Sequence, residues 1–133
     1  YARIALESAS KPQMLDELYN RLLRDCADAR AAIAERRIED KARAISHGLD
    51  IVTQLAAALD HEREPKLCAQ LAKLYQVISG RLIEGGMRME PSPIEIAERH
   101  ITTRRSAFQK AAADVKAAST PIGNAHRIIA YIT

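Results

Sequence analysis

The stretch Lys41–Asp60, which reads KARAISHGLDIVTQLAAALD, decides the fold of this 133-residue chain. At the 100° per residue of an α-helix, its apolar side chains form a stripe with a second set beside it. The stripe contains Ala42, Ile45, Leu49, Val52, Ala56 and Leu59, and the second set contains Ala44, Ile51, Leu55 and Ala58. Together they cover an arc of roughly 200°, which is wider than the arc of a typical surface helix. The stretch therefore predicts a helix that either packs between two neighbours or keeps part of its apolar face for a partner.

Three further segments show helical spacing of apolar residues. They are Pro12 to about Glu35 (Leu15, Leu18, Tyr19, Leu22, Cys26, Ala29, Ile33), Pro65 to about Ile83 (Leu67, Leu71, Leu74, Tyr75, Ile78, Leu82), and Pro93 to about Ala118 (Ile94, Ala97, Ile101, Phe108, Ala112, Val115). The pair Gly85-Gly86 predicts the end of the third helix, and Ser92 before Pro93 predicts the start of the fourth. Four amphipathic helices with short links are typical of an antiparallel bundle.

We therefore expect an all-α fold, an up-down-up-down four-helix bundle that occupies residues 1–118. Residues 1–10 are too few to form a stable helix alone, and we expect them to be a short N-terminal segment that docks on the bundle. Residues 119–133 begin with turn-forming residues and form a C-terminal extension of unknown role.

Composition and charge argue against several classes of protein. The 20 Lys and Arg are interspersed with 17 Asp and Glu, so no face forms an obvious phosphate-binding track, and we expect no nucleic-acid partner. The longest apolar runs are five residues, as in Leu55–Leu59, whereas a membrane-spanning helix needs about 20. Cys26 and Cys68 are isolated, which argues against a disulfide or a zinc site and favours the reducing cytoplasm.

No pattern in the chain points to catalysis, to a metal or to a cofactor. A di-iron site in a helical bundle needs histidines that follow a glutamate by three residues. None of the four histidines does so, and these are His47, His61, His100 and His126. No glycine-rich loop precedes a helix, so a phosphate-binding loop is not indicated either. We expect a protein that is not an enzyme.

An ordered series of short motifs resembles the flagellin-specific export chaperone family FliS over residues 1–108. The motifs are Tyr1, Ile4, Leu6 and Ser8-Ala9-Ser10, then Leu18-Tyr19, Lys41-Ala42, Leu59-Asp60, Leu74-Tyr75, Arg81-Leu82-Ile83-Glu84 and Arg105-Ser106-Ala107-Phe108. The chain departs from the family pattern at Lys11, which stands in a proline position, and at Phe108, which stands where tryptophan is usual.

This resemblance implies a cytoplasmic chaperone for newly made flagellin. In such a protein the disordered C-terminal segment of flagellin binds as helical pieces in apolar grooves, which prevents early polymerisation. The bound flagellin is then delivered to components of the flagellar type III export gate. A segment that must order itself on binding needs a large, preformed apolar surface, and the wide arc of Lys41–Asp60 is a candidate for one.

The wide apolar arc of Lys41–Asp60, taken together with this resemblance, suggests which residues contact the partner. The expected contact residues are Ile45, Ile51, Val52, Leu55 and Leu59, with Tyr19 at the junction with the N-terminal segment. That segment resembles a removable cap over the groove, in which Tyr1, Ile4 and Leu6 make the contacts. A weakly held cap suits this role because the partner can displace it.

Two other functions remain open from the sequence. Arg36-Arg37 and Arg104-Arg105, with a pI near 9.0, are compatible with a basic helical module that binds nucleic acid. A surplus apolar face could instead form a structural homo-oligomer, so both a monomer and a homodimer are considered. The extension residues Ile128, Ile129 and Ile132 could pack back on the bundle or into the groove of a neighbour.

Overall fold

The structure, a computed structural model, describes residues 11–118, and within them it contains four helices and no strand. The helices are α1 (Lys11–Ala34), α2 (Ile38–Ala57), α3 (Pro65–Arg88) and α4 (Pro91–Ala118). The all-α fold predicted from the sequence is confirmed. The predicted segments 1–10 and 119–133 lie outside the described residues.

Hydrogen bonds and ion pairs between the helices fix their directions. Where two bonded pairs join the same two helices, the residue numbers rise along one helix as they fall along the other. The pairs are Lys11–Ala58 and Asp25–His47 between α1 and α2, with Ala58 directly after α2, Asp16–Arg105 and Arg30–Glu98 between α1 and α4, and Lys41–Gly86 between the start of α2 and the end of α3. Helix α1 is therefore antiparallel to α2 and to α4, which closes the bundle. The end of α3 lies beside the starts of α2 and α4, at Lys41 and Ile94.

The apolar stripes of all four helices meet in one core. The largest completely buried side chains come from every helix, and they are Leu22, Ile51, Leu55, Leu71, Ile78, Leu82, Ile94 and Ile101. All seven stripe residues predicted for α1 are buried. The helical spacing thus identified the inward faces of α1, α3 and α4, since apolar burial drives their association.

The end of α3 differs from the prediction. Gly85 and Gly86 do not stop the helix, which continues to Arg88 and ends at Met89 in a left-handed conformation (φ 54°, ψ 44°). Both glycines are buried, and a Cβ atom added at Gly85 would lie only 2.7 Å from Cγ1 of Ile94. The glycines are therefore sites where α3 approaches its neighbours closely, rather than helix breakers.

The boundaries of α2 and α4 also differ from the prediction. Helix α2 begins at Ile38 and ends at Ala57, so Leu59 lies just beyond it, although its side chain is still buried. Helix α4 begins at Pro91 instead of Pro93. Proline fits the first helical turn because the amide hydrogens there have no partner inside the helix.

Candidate functional site

The inward face of α2 is centred on Gly48, a residue that an apolar count leaves out. A Cβ atom at Gly48 would lie 3.5 Å from Cδ1 of Leu22 and 3.6 Å from Cδ1 of Leu82, so α2 is close to both neighbours there. Around this glycine, Ile51 and Leu55 are each 1% exposed and Val52 is 4% exposed. These three side chains form the inner face of α2.

This orientation corrects the expectation that Ile51 and Leu55 contact the partner directly. They lie in the core, and the surplus apolar surface lies on the other edge, where Ala42 is exposed and Ile45 and Leu49 are half-buried. The wide arc therefore exists, but Ile51 and Leu55, which were expected to contact the partner, lie on its covered side.

Tyr19 and Leu59 also belong to the core. The hydroxyl of Tyr19 is 3.1 Å from that of Tyr75, and its ring packs against Phe108 with centroids 6.4 Å apart. Burial raises the pKa of Tyr19, while the hydrogen bond to Tyr75 and the positive charge of Arg104 oppose this rise. Of the predicted contact residues, Ile45 alone lies at the rim of a groove, and the others form one buried cluster behind it.

An apolar groove runs between α2 and α3, and we call it the α2–α3 groove. It has a volume of about 190 Å³, and the residues that line it are Lys41, Ala42, Ile45, Ile83, Gly86 and Met87. Met87 is 81% exposed and Ile83 is 44% exposed. The Nζ atom of Lys41 donates a hydrogen bond of 2.9 Å to the carbonyl of Gly86, which holds its alkyl chain along the groove.

Gly86 sets the depth of this groove. A Cβ atom at that position would lie 2.5 Å from Cδ1 of Ile45, so the hydrogen of glycine lets the two helices come together. Ile38 lies on the same face of α2 two turns before Ile45 and is 55% exposed. Large apolar side chains left in water at one seam are typical of an interaction surface.

A second apolar groove lies on the opposite side of α2, near its C-terminal end, and we call it the α1–α2 groove. It has a volume of about 430 Å³ and is lined by Lys11, Met14, Leu18, Gln54, Ala57 and Ala58. The Nζ atom of Lys11 donates a hydrogen bond of 3.0 Å to the carbonyl of Ala58, which closes one end of the groove. Short alanine side chains on α2 leave the space that Met14 and Leu18 border.

Farther along the same seam, a polar pocket replaces the apolar groove. Its polar lining consists of Asp25, Asp28, Arg37, Asp40, Arg43 and His47. Nδ1 of His47 lies 2.6 Å from a carboxylate oxygen of Asp25. Burial raises the pKa of Asp25, and the hydrogen bond with His47 partly offsets this rise. The two arginines of this pocket are both paired with Asp40, at 2.6 Å from Arg37 and 3.2 Å from Arg43, so neither presents an unpaired positive charge to an anionic ligand.

One arginine of each pair considered for nucleic-acid binding, Arg37 and Arg105, is engaged with carboxylates. Arg37 lies 2.6 Å from both Glu35 and Asp40, and Nε of Arg105 lies 3.4 Å from Asp16. These ion pairs place negative charge next to the arginines, which opposes the approach of phosphate.

The part of the chain that the structure describes offers little else to a ligand. Within residues 11–118, no group of three or more acidic, histidine or cysteine side chains is arranged to hold a metal ion. No helix in that range is long and apolar enough to cross a membrane.

Comparison with known proteins decides the family. The sequence pattern of the family described as "Flagellar protein FliS" matches residues 1–129. The chain belongs to this family. The FliS family is a family of chaperones of flagellar export, so the resemblance noted in the sequence is confirmed.

Two relatives with FliS names share moderate identity with the chain. The flagellar secretion chaperone FliS of Salmonella typhimurium is 27% identical over 103 residues, which cover 74% of this chain and 76% of the relative. The flagellar secretion chaperone FliSB of Pseudomonas aeruginosa is 27% identical over 99 residues, which cover 71% of this chain and 79% of the relative.

Proposed function

We propose that this protein is a cytoplasmic export chaperone that binds the disordered C-terminal segment of flagellin. In this proposal, the chaperone keeps flagellin from polymerising early and helps to deliver it to components of the flagellar type III export gate. Membership of the FliS family supports the chaperone role. The structural observation that supports the binding mode is the presence of an apolar groove on each side of α2.

The two grooves suit a client that binds as helical pieces. An amphipathic helix buries its apolar face through side chains spaced three or four residues apart, and each groove offers a narrow apolar channel for such side chains. Ala42 and Ala57 mark the two grooves on α2 and are 15 residues apart, which is about 22 Å along the helix. A client that occupies both grooves must therefore cross the outer face of α2.

The residues predicted to contact the partner divide into two roles in this proposal. Ile45 contacts flagellin directly at the rim of the α2–α3 groove. Ile51, Val52, Leu55, Leu59 and Tyr19 hold α2 in place from the core, so that the groove walls exist before the client arrives. A preformed surface lowers the ordering cost of binding, which matters for a client that is disordered when free.

The N-terminal residues Tyr1, Ile4 and Leu6 keep their predicted role as a removable cap. They lie outside the described residues, and the support for this role is the resemblance to the family. Removing residues 1–10 should speed the association of flagellin, since the client no longer has to displace them. Stopped-flow measurement of the association rate checks this, and an unchanged rate would argue against a cap.

Titration of the protein with the flagellin C-terminal segment tests the proposed function. The combined substitution Ile83→Asp and Met87→Asp places two charges in the α2–α3 groove at exposed positions, so the fold should persist. We expect the dissociation constant to rise at least tenfold, or about 1.4 kcal/mol, because bound carboxylates would lose water without gaining a partner. Isothermal titration calorimetry gives this constant directly.

Val77→Asp is the matched control, since Val77 is an apolar residue of α3 with the same 44% exposure as Ile83 but lies outside the residues that line the groove. It should bind flagellin like the parent protein. Equal binding by all three proteins would exclude the α2–α3 groove as the contact surface. Failure of the parent protein to bind the segment at all would exclude the function.

A further inference from the structure

The end of α4 lies near the α1–α2 groove. Asp16 of α1 meets Arg105 and Gln109 of α4, so these residues lie at one level of the bundle. From that level α1 extends only five residues back to Lys11, whereas α4 continues to Ala118. Helix α4 therefore projects about 9 Å beyond the start of α1, at 1.5 Å per residue. Lys11 and Ala58, which close the α1–α2 groove, lie at this same end of the bundle.

The sequence that follows α4 is long enough and apolar enough to reach and fill this groove. Ser119–Asn124 is a six-residue stretch, and such a stretch spans up to about 20 Å when extended. Neighbouring helix axes in a bundle are only about 8–10 Å apart, so this stretch can carry the chain past the end of α1. Beyond it come Ile128, Ile129 and Ile132, and burial of these side chains away from water is favourable.

We propose that residues 119–133 fold back over the end of the bundle and occupy the α1–α2 groove of their own chain, where they compete with the flagellin segment. Ile128 and Ile132 are four residues apart, which is the spacing of a helix that docks in a groove. The competition rests on the proposed function, whereas the docking itself does not. The extension thus acts as a built-in substitute for the client and covers apolar surface until flagellin arrives.

The three methionines make the docking measurable without flagellin. Met14 lines the α1–α2 groove, Met87 lines the α2–α3 groove, and Met89 follows α3. In protein labelled with ¹³C at the methionine methyl groups, truncation after Ala118 should shift the Met14 resonance and leave those of Met87 and Met89 unchanged. A synthetic peptide of residues 119–133, added to the truncated protein, should return the Met14 resonance to its position in the full chain.

Two full-length variants separate docking from simple shortening of the chain. The substitution of Ile128, Ile129 and Ile132 by serine should reproduce the spectrum of the truncated protein. Ser119→Ala with Thr120→Ala, which alters the extension but keeps its isoleucines, should leave the Met14 resonance where it is in the full chain.

Several outcomes would overturn the docking. The first is a Met14 resonance that truncation leaves unchanged, and the second is a truncation that shifts Met87 instead of Met14. The third is a Met14 resonance that responds to Ile4→Ser with Leu6→Ser but not to the isoleucine variant, because this result would assign the groove to residues 1–10. A Met14 shift that disappears on dilution would show that a second copy supplies the extension.

Flagellin affinity tests the competition separately. If the extension covers the groove nine-tenths of the time, the truncated protein should bind the flagellin segment about tenfold more tightly than the full chain. Equal affinity of the two forms would overturn the competition even if Met14 had responded. If neither form binds the segment while Met14 responds to the extension, the docking stands and the proposed function fails.

Discussion

At the scale of single residues, the hydroxyl pair of Tyr19 and Tyr75 is a sensitive point of the core. Tyr19→Phe would leave the hydroxyl of Tyr75 buried without its partner, and we expect the free energy of unfolding to fall by about 1–3 kcal/mol. Replacing both tyrosines by phenylalanine should cost no more than the single change, because neither hydroxyl is then left unpaired. Urea denaturation measures both. Strict additivity of the two single changes would show that the hydroxyls do not depend on each other.

The two cysteines give a second prediction at this scale. Burial raises the pKa of Cys26 to about 12 and also raises that of Cys68. The thiolate is the reactive form, and at pH 8 roughly one Cys26 thiol in ten thousand would be ionised. Neither cysteine should react with a thiol reagent such as dithionitrobenzoate in the native protein, whereas both should react at once in denaturant. Rapid modification of the native protein at pH 8 would contradict the packing of α1 and α3.

At the scale of helices, we expect glycine-to-alanine substitutions at two positions of α3 to have opposite effects on stability. Nothing lies within 4 Å of a Cβ atom added at Gly80, so Gly80→Ala should stabilise the protein by about 0.5–1 kcal/mol through helix propensity. At Gly85 the added atom would lie 2.7 Å from Ile94 and 3.0 Å from the backbone oxygen of Glu90, and Gly85→Ala should destabilise by about 1–3 kcal/mol. Thermal unfolding of the two variants checks the sign. A loss of stability at Gly80, or none at Gly85, would contradict the close packing assigned to the end of α3.

The orientation of α2 shows what periodicity predicts and what it does not. Apolar spacing predicted that α2 exists and that its apolar arc is too wide for one neighbour. It did not predict which edge is covered, since that depends on where α1 and α3 approach most closely. The approach occurs at Gly48, whose missing side chain carries no apolar signal. The available signal was the spacing of Ile51, Val52 and Leu55, which follow Gly48 by three, four and seven residues. Residues at this spacing lie on one face of a helix.

At the scale of the whole molecule, the fold was predictable and the grooves were not. Four apolar stripes joined by short links allow few arrangements besides an antiparallel bundle. The grooves arise instead from side-chain sizes at the seams, such as Gly86 beside Ile45 and Ala57 across from Met14. These are differences of a few carbon atoms between residues that are about 40 positions apart in the sequence, so a pattern within one helix does not show them.

The positions of the two grooves lead to a prediction for flagellin binding as a whole. Met87→Asp disrupts the α2–α3 groove and Ala57→Asp disrupts the α1–α2 groove, and each should weaken binding about tenfold. Because the sites are about 22 Å apart, one client that occupies both should lose about a hundredfold in the combined variant. Ala34→Asp with Val77→Asp is the matched control, since Ala34 and Ala57 are both exposed last residues of their helices. Titration calorimetry measures the affinity of each variant for the flagellin segment. If the combined variant binds as tightly as the single variant with the lower affinity, flagellin uses the grooves one at a time.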